Sequence, residues 1–412
     1  MTDEPKMLEL LFDRDEYQRL RVEQPVAKVR HFNGAAVWLV TRYDDIKAVL
    51  SDPGVSNDPR TQTHLNTTAA PGLPQEYLRY LGRSVSMMDP PNHNRVRRLV
   101  SKVFTARRVQ QLRPRVQEVT DELLDGLAGA GELDLLQDFA YPLPFAVISE
   151  LLGVPEEFRE HWREALEGMM WGAWEQVAPG AQAMADYAER VVELRREQPG
   201  DDLISALVRT MDSADNTDGD QLDDDELVSL VITILNAGHE TSAQLIANGT
   251  FALLTHPDQL ARLRGDLSLL TPAIEEMLRL FGPAELAGLR FAKEDVEVGG
   301  VTVPAGDVIQ ILWASANRDD AQFAEAERFD IARKNNAHLA FGHGIHYCLG
   351  AALARVEAEV AFGTLLRRFP DLSLSVPAAE VAWKRGFPRG INRLERLPVA
   401  LGDERQRDRH VA

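Results

Sequence analysis

The chain has 412 residues, of which 44% are apolar and 26% are charged. This length and composition exclude a peptide-like scaffold, a collagen-like chain and a largely disordered protein. With 64 acidic and 45 basic residues the formal net charge is −19. So large an excess of negative charge opposes non-specific binding to nucleic acid or to an anionic lipid surface.

Cys348 is the single cysteine, so the chain cannot form an intramolecular disulfide. The first fifteen residues carry five acids and no apolar run, which is unlike a signal peptide. No stretch reaches the ~18 uncharged apolar residues that a membrane-spanning helix needs. The sequence therefore predicts a cytoplasmic protein with a reduced thiol and no membrane association.

The predicted elements begin with short strands. Two of them, at Val26–Arg30 and 36–41, are joined at Asn33-Gly34 and precede a short helix at 43–50. The segment 52–91 is rich in Pro, Gly, Ser and Thr and is expected to be a long ordered loop, a kind of segment that is usually functional.

The rest of the chain is mostly helical. From 92 to 254 the apolar spacing is helical almost throughout, and mixed structure follows, with a hairpin at 296–303 and a Gly-rich loop at 341–350 that runs into an amphipathic helix. The predicted fold class is mainly α, of the α+β type, in a single domain covering 1–412. Its β-containing part covers about 1–60 and its helical body about 90–290.

The loop at 341–350 contains Cys348 and three glycines. Glycines let a backbone turn sharply and approach a bulky group closely, and the start of a helix favours a thiolate. Alternatives are a buried inert cysteine, a zinc site with His343 and His346, and a cysteine nucleophile with His346 as its base. A single axial thiolate on a haem iron needs one cysteine and a glycine-lined bed, and it fits this segment best.

Four segments resemble motifs of the cytochrome P450 family, and they occur along the chain in the order expected of that family. Phe341, Gly344, Cys348 and Gly350 fill the pattern of its haem-thiolate loop. The sequence Glu-Met-Leu-Arg at 276–279 resembles its Glu-x-x-Arg pair, Ala-Glu-Arg-Phe at 326–329 its meander, and Ala-Gly-His-Glu-Thr at 237–241 its oxygen-activating segment. The resemblance implies the triangular P450 fold, haem b as the cofactor and monooxygenase activity.

The resemblance also implies roles for individual residues. Cys348 is the expected iron ligand. The expected haem contacts are Phe341, Gly342, Gly350 and Ala237, and the expected propionate contacts are His93, Arg97, Arg290 and His346. Glu276, Arg279 and Arg328 are expected to form a buried structural triad.

A long helix at 225–254 is predicted to carry the catalytic residues. Its 30 residues would span roughly 45 Å, and its apolar pattern is broken between Asn236 and Ser242. Local helix rules are broken most readily at functional sites. By resemblance, Ala237 and Gly238 leave space for dioxygen, Thr241 donates a hydrogen bond to it, and Glu240 relays protons.

The expected substrate pocket combines three segments of the chain. Its predicted lining consists of Met87, Met88, Thr233, Asn236, Ala237, Ala284, Glu285, Leu286 and Ala287. The polar members suggest a substrate with hydrogen-bonding groups, such as an oxygenated polyketide or macrolide.

The chain contains no flavin-binding or iron–sulfur segment, so the expected electron source is NAD(P)H acting through separate proteins. A basic patch formed by Arg107, Arg108, Arg113 and Arg115 is a hypothetical docking site for a ferredoxin-type donor. The expected assembly is a monomer. Alternatives are a haem-binding sensor or carrier without turnover, and a haem-thiolate enzyme driven by peroxide.

Overall fold

The computed structural model describes residues 13–31, 34–61, 73–211, 221–386 and 390–404. The helices are α1 Arg14–Glu23, α2 Tyr43–Ser51, α3 Gln75–Leu81, α4 Asn92–Val103, α5 Ala106–Leu127, α6 Pro142–Leu152, α7 Glu156–Trp171, α8 Trp174–Glu197, α9 Leu203–Met211, α10 Asp224–Thr255, α11 Pro257–Gly265, α12 Leu270–Phe281, α13 Trp313–Ala316 and α14 Ala351–Arg368. The strands are β1 Val26–Arg30, β2 Ala36–Val40, β3 Val55–Ser56, β4 Glu132–Asp134, β5 Arg290–Ala292, β6 Val296–Val298, β7 Val301–Val303, β8 Val308–Ile311, β9 Ser373–Leu374, β10 Trp383–Gly386, β11 Ile391–Leu394 and β12 Pro398–Ala400. Long helices with small sheets confirm the predicted mainly α class.

The largest sheet joins the N-terminal strands to two strands from the later part of the chain. β1 and β2 form the predicted antiparallel hairpin, although Asn33 of its turn lies outside the described residues. The sheet has the order β1-β2-β8-β5-β3, and β8 pairs with β2 in parallel. The N-terminal strands thus complete a sheet with strands from 290–311, and β5 places Arg290 at the edge of the helical body.

α10 is the central helix of the body. It has 32 residues, close to the predicted length, and begins at a capping box in which the Asp223 carboxylate accepts from Glu226 N and the Glu226 carboxylate accepts from Asp223 N. The helix packs against α6, α8, α12 and α14. Most of its residues are buried, so a polar residue in its middle faces either another helix or an internal cavity.

The segment 52–91 is more ordered than its composition suggests. In addition to β3 it contains α3 and two short 3-10 turns, Pro59–Thr61 and Val85–Met87, while 62–72 lie outside the described residues. Tyr77 and Tyr80 of α3 are buried in the main core, and their burial offsets the weak helix signal of a seven-residue stretch. No helix among the described residues is long and apolar enough to cross a membrane.

Candidate active site

The loop that carries Cys348 is built from tight turns. Gly342 and Gly344 have φ values of +78° and +74°, which strain any residue with a side chain. Cys348 N donates to Phe341 O at 2.9 Å and closes the loop. Cys348 lies two residues before Gly350, the N-cap of α14, as the sequence predicts.

Cys348 is exposed and lines a cavity. Burial raises the pKa of Cys348 above its ordinary value, while the amides of Gly350 and Ala351 and the cations Arg97 and Arg355 oppose that shift in part. The helix N-terminus alone therefore does not hold a thiolate here. A bound metal ion would, because a coordinating thiol is deprotonated outright.

The cavity brings the loop and α10 together. It encloses about 950 Å³, a volume at the upper end of small-molecule sites. Its wall includes Cys348, Phe341 and Gly350 on one side and Ala237 and Thr241 on the other. Gly342 does not line the cavity, because it forms the turn behind the loop.

Four cationic side chains or imidazoles converge on the same cavity: His93, Arg97, Arg290 and His346. The rings of His93 and His346 lie 4.2 Å apart between centroids. Burial lowers the pKa of Arg290 to about 10, and burial together with the neighbouring His93, Arg290 and Arg97 lowers the pKa of His346 to about 3. The site is therefore electropositive and short of negative charge.

No acid among the described residues forms an ion pair with these groups. Arg97 Nη2 donates to Tyr347 O at 2.7 Å and Arg290 Nη1 donates to Gly288 O at 2.8 Å, so both contact backbone only. His93 Nε2 is buried and has no hydrogen-bond partner. Buried cations without counter-charges are costly, so this cluster favours an anionic ligand in the cavity.

The middle of α10 supplies Ala237, Gly238 and Thr241 to the cavity wall. Thr241 Oγ1 donates to Ala237 O at 2.7 Å, so the hydroxyl can also accept a hydrogen bond from the cavity. A Cβ on Gly238 would lie 3.1 Å from two side-chain carbons of Ile148. The missing side chain of Gly238 therefore also admits Ile148 of α6, and the expectation that Gly238 leaves space for dioxygen stays a prediction.

The Glu240 carboxylate does not line the cavity. It is 3% exposed on the other side of α10, where it accepts from the Tyr141 hydroxyl and from Gln244 Nε2 at 3.2 Å. Burial raises the pKa of Glu240, whereas the Arg393 guanidinium 3.7 Å away lowers it in part. Glu240 therefore follows its neighbour in sequence, His239, into the buried side of α10, whereas Thr241 lines the cavity.

Only part of the predicted substrate lining faces the cavity. Met87, Thr233, Ala237 and Ala284 line it, whereas Met88, Asn236, Glu285, Leu286 and Ala287 do not. Met88 packs in the main core, and Asn236 Oδ1 is buried without a hydrogen-bond partner.

The segment after Ala284 turns away from the cavity for a structural reason. β-bridges pair Ala284 with Ile391 and Leu286 with Leu312, and the Glu285 carboxylate accepts from the Tyr17 hydroxyl at 2.5 Å. Glu285 and Leu286 therefore anchor α1 and the sheet rather than a ligand, and the cavity wall resumes at Gly288.

The buried triad has a different third member from the predicted one. Arg279 donates to both oxygens of Glu276 at 2.8 Å, and neither side chain is exposed. Arg333 Nε lies 3.0 and 3.1 Å from the same two oxygens. Arg328 was the wrong choice: its side chain is 57% exposed and pairs with Glu325, and only its carbonyl joins the cluster, accepting from Arg279 and Arg333.

The predicted basic patch is largely neutralised by acids. Arg108 pairs with Asp201, Arg113 with Glu359, and Arg115 with Glu118, Glu122 and Glu150. These arginines therefore offer little free positive charge to a partner. Lys102 and Arg107 are exposed around the end of α4.

Sequence reasoning missed several polar residues of the cavity wall. Asn57, Asp58, Arg60 and Ser86 all belong to the segment 52–91 that was expected to be functional. Its Pro- and Gly-rich composition signalled a binding loop but could not indicate which side chains face inward. Arg393, which lies beside Glu240, could not be recognised from sequence pattern, because β11 follows α10 by well over a hundred residues.

Comparison with known proteins decides the family. The family description "Cytochrome P450" matches residues 158–375. The chain belongs to the cytochrome P450 family. It is 46% identical over 387 residues to cytochrome P450 monooxygenase PikC of Streptomyces venezuelae, covering 93% of this chain and 89% of that protein.

Two further P450s are similar over nearly the whole chain. The 6-deoxyerythronolide B hydroxylase of Saccharopolyspora erythraea is 44% identical over 392 residues, with 93% and 95% of the two chains covered. The structure of the tirandamycin C-bound P450 monooxygenase TamI has a TM-score of 0.86 and 38% identity, with 95% and 98% covered. The protein is therefore a P450 monooxygenase, an oxidoreductase.

Members of the P450 family bind haem b through a cysteine thiolate, and the cavity fits that group. Its wall carries one cysteine, and the unpaired cations Arg97 and Arg290 are suited to two propionate groups. The orphaned Nε2 of His93 is a further hydrogen-bonding group for a carboxylate.

Proposed function

We propose that this P450 monooxygenase inserts one oxygen atom into a neutral natural product of the polyketide or macrolide type. The observation that carries the proposal is the single cavity shared by Cys348, Thr241 and the four propionate candidates. The PikC monooxygenase, the 6-deoxyerythronolide B hydroxylase and the mycinamicin IV hydroxylase/epoxidase of Micromonospora griseorubida support the substrate class by their names.

Each cavity residue has a part in this function. Cys348 would hold the iron, and His93, Arg97, Arg290 and His346 would hold the propionates. Haem would supply the redox chemistry that activates dioxygen. Thr241 would hydrogen-bond at the cavity wall, Glu240 would relay protons from behind it, and the apolar wall would exclude water.

The polar lining supports a neutral substrate. Asp58 is the one acidic residue of the described cavity wall. Its carboxylate already accepts hydrogen bonds of 2.7 to 3.0 Å from the Arg60 guanidinium. Residues 62–72 of the sequence include no Asp or Glu. Asn57, Ser86 and Thr233 leave amide and hydroxyl groups for substrate oxygens. An amino sugar would therefore find no unpaired carboxylate in the described wall.

Electrons come, in this proposal, from NAD(P)H through a reductase and a ferredoxin-type donor, and the enzyme acts as a cytoplasmic monomer. The chain's lone cysteine supports a reducing compartment. The donor would dock near the exposed Lys102 and Arg107 at the end of α4, the helix whose Arg97 donates to Tyr347 O of the Cys348 loop.

The first experiment is the absorption spectrum of the reduced, carbon-monoxide-bound protein. A strongly red-shifted Soret band is expected, and the Cys348→His variant should bind haem but lose that shift. Haem-loaded wild-type protein without the band would overturn the assignment of Cys348. Spin-state titration then compares a neutral macrolactone with its amino-glycosylated form, and tighter binding of the amino form would contradict the neutral substrate class.

Turnover tests the role of Thr241. Thr241→Ala should retain haem and the shifted band but form several-fold less product per NAD(P)H consumed, because a hydroxyl that hydrogen-bonds at the cavity wall is lost. Thr241→Ser, which keeps the hydroxyl, is the matched control and should remain coupled. Unchanged coupling in Thr241→Ala would remove that residue from the mechanism.

A further inference from the structure

Three hydroxyl groups form a hydrogen-bonded network between the segment before α4 and the helix α10. Ser84 Oγ lies 2.9 Å from Ser86 Oγ and 3.0 Å from Thr233 Oγ1. Ser86 and Thr233 line the cavity, whereas Ser84 does not line it and is 5% exposed. This hydroxyl network of Ser84, Ser86 and Thr233 therefore presents its two ends to the cavity and keeps its middle buried.

The backbone around the two serines is held in place by the protein itself. Met87 N donates to Ser84 O at 2.9 Å within a 3-10 turn. The Asn57 side chain donates to Ser86 O at 3.1 Å. Thr233, at the other end of the network, belongs to the long helix α10. A site built on fixed backbone loses little freedom when a ligand binds, so this network is suited to orient one.

The number of protons determines what the network can offer to a ligand. A serine or threonine hydroxyl donates one hydrogen bond and accepts up to two. Among the described residues, the Ser86 and Thr233 hydroxyls have no hydrogen-bond partner other than Ser84. If both donated to Ser84, its own buried proton would lack an acceptor there, which is costly. The favoured arrangement therefore runs in one direction, so that one end donates into the cavity and the other end accepts from it.

One donor beside one acceptor matches a carbonyl and a hydroxyl group on the same ligand. Both end oxygens lie within 3.0 Å of Ser84 Oγ, so they are neighbours in the wall. We propose, on the basis of the proposed function, that the hydroxyl network binds a β-hydroxycarbonyl unit of a polyketide substrate. The carbonyl accepts from one end, the hydroxyl donates to the other, and Ser84 is a positioning residue that orients both ends. A diol would bring one proton more than the two ends can pair.

The helix α10 sets the distance from this network to Thr241. Thr233 and Thr241 both line the cavity and are eight residues apart, about 12 Å along the helix axis at ~1.5 Å per residue. The wall between them includes Ile234 and Ala237, which are apolar. A substrate held at the hydroxyl network therefore presents a carbon remote from its β-hydroxycarbonyl unit to the Thr241 end of the cavity.

The first test is spin-state titration of the haem-loaded protein with three macrolactones: a β-hydroxyketone, the analogue that lacks this hydroxyl, and the diol obtained by reducing the ketone. The wild-type protein should bind the hydroxyketone about fivefold more tightly than the analogue, as one net hydrogen bond allows. Thr233→Val should lose this preference, and Thr233→Ser, which keeps a hydroxyl, should retain it. Equal wild-type binding of hydroxyketone and analogue, or tightest binding of the diol, would overturn the proposal.

The second test separates recognition from packing. Ser84→Ala should abolish the preference for the hydroxyketone and leave the Kd of the analogue unchanged, although Ser84 does not line the cavity. Ser229→Ala is the matched control, because Ser229 is 1% exposed on α10 and its hydroxyl donates to Tyr80 O at 2.7 Å outside the network. This control should keep the preference. If Ser84→Ala weakened the binding of both ligands equally, the network would be a structural tie only and the proposal would be wrong.

Product analysis checks the position of oxidation and separates this proposal from the proposed function. Wild-type protein should oxidise the hydroxyketone at a carbon remote from the β-hydroxycarbonyl unit, and Thr233→Val should give a broader mixture of products. Oxidation next to that unit would overturn the proposal, while the monooxygenase function would stand. A shifted Soret band without product from any of the three macrolactones would instead overturn the proposed substrate class, and this proposal with it.

Discussion

Glu357 is a buried acid on α14 that the proposed chemistry does not use. Its side chain is 1% exposed, and neither oxygen has a hydrogen-bond partner among the described residues. The Ser242 hydroxyl favours the charged form only in part, because it lies outside full hydrogen-bond geometry. Burial raises the pKa of Glu357 to about 8, so the folded protein holds a proton there at neutral pH.

We predict that Glu357 makes the folded state less stable as pH rises. Because its folded pKa exceeds the unfolded one, the folded state binds more protons between about pH 4.5 and about 8. The free energy of unfolding should fall by at most about 1.4 kcal/mol per pH unit across that window. Glu357→Gln should lose this slope in chemical denaturation at pH 5, 6.5 and 8. An unchanged slope would show that Glu357 is already ionised in the folded protein.

At the scale of elements, α12 and the segment 324–336 form one ionic unit. Glu276 accepts from Arg279, Arg333, Asn336 Nδ2 and Asp330 N, so its buried carboxylate is fully occupied. Arg333 also donates to backbone carbonyls of the 324–328 segment. This unit fixes the chain that leads into the Cys348 loop.

We predict that Arg333 and Arg328 differ sharply in importance. Arg333→Ala leaves part of a buried charge unpaired and should lower the free energy of unfolding by about 3 kcal/mol or more, with loss of haem during purification. Arg328→Ala removes an exposed side chain and should change it by less than about 1 kcal/mol. Denaturant titration of both variants measures the difference. Equal losses of unfolding free energy would support Arg328 as a member of the triad.

At the scale of the whole molecule, negative charge dominates. A chain with a net charge of −19 repels an acidic electron donor, so docking depends on a local basic surface. Arg108, Arg113 and Arg115 form ion pairs with acids, so their charges are neutralised and add little to that surface. Lys102 and Arg107 are exposed around the end of α4, the helix whose Arg97 donates to Tyr347 O of the Cys348 loop.

We predict that Lys102→Glu raises the KM for a ferredoxin donor several-fold at low salt, because it reverses a charge in the docking surface. The effect should shrink as ionic strength rises, since screening weakens exposed charges. Lys293→Glu, an equal change of charge at an exposed position beyond β5, is the control. A similar rise in KM for both variants would place the donor elsewhere.

Much of the site was predictable from local sequence. The spacing of glycines around Cys348 and the break in the apolar pattern at 236–242 each depend on neighbours along the chain. The structure brings Cys348 and Thr241 to one cavity, together with His93 and Arg97, which the family resemblance indicated. The comparisons confirm the family and the mainly helical fold.

Tertiary structure decided the features that depend on contacts between distant segments. The triad contains Arg333 instead of Arg328 because the chain folds back so that only the carbonyl of Arg328 reaches Arg279. The segment 285–287 faces the sheet because bridges to β11 and to Leu312 fix its orientation. A residue pattern specifies which side chains carry the chemistry, whereas packing between distant segments determines which of them share a cavity.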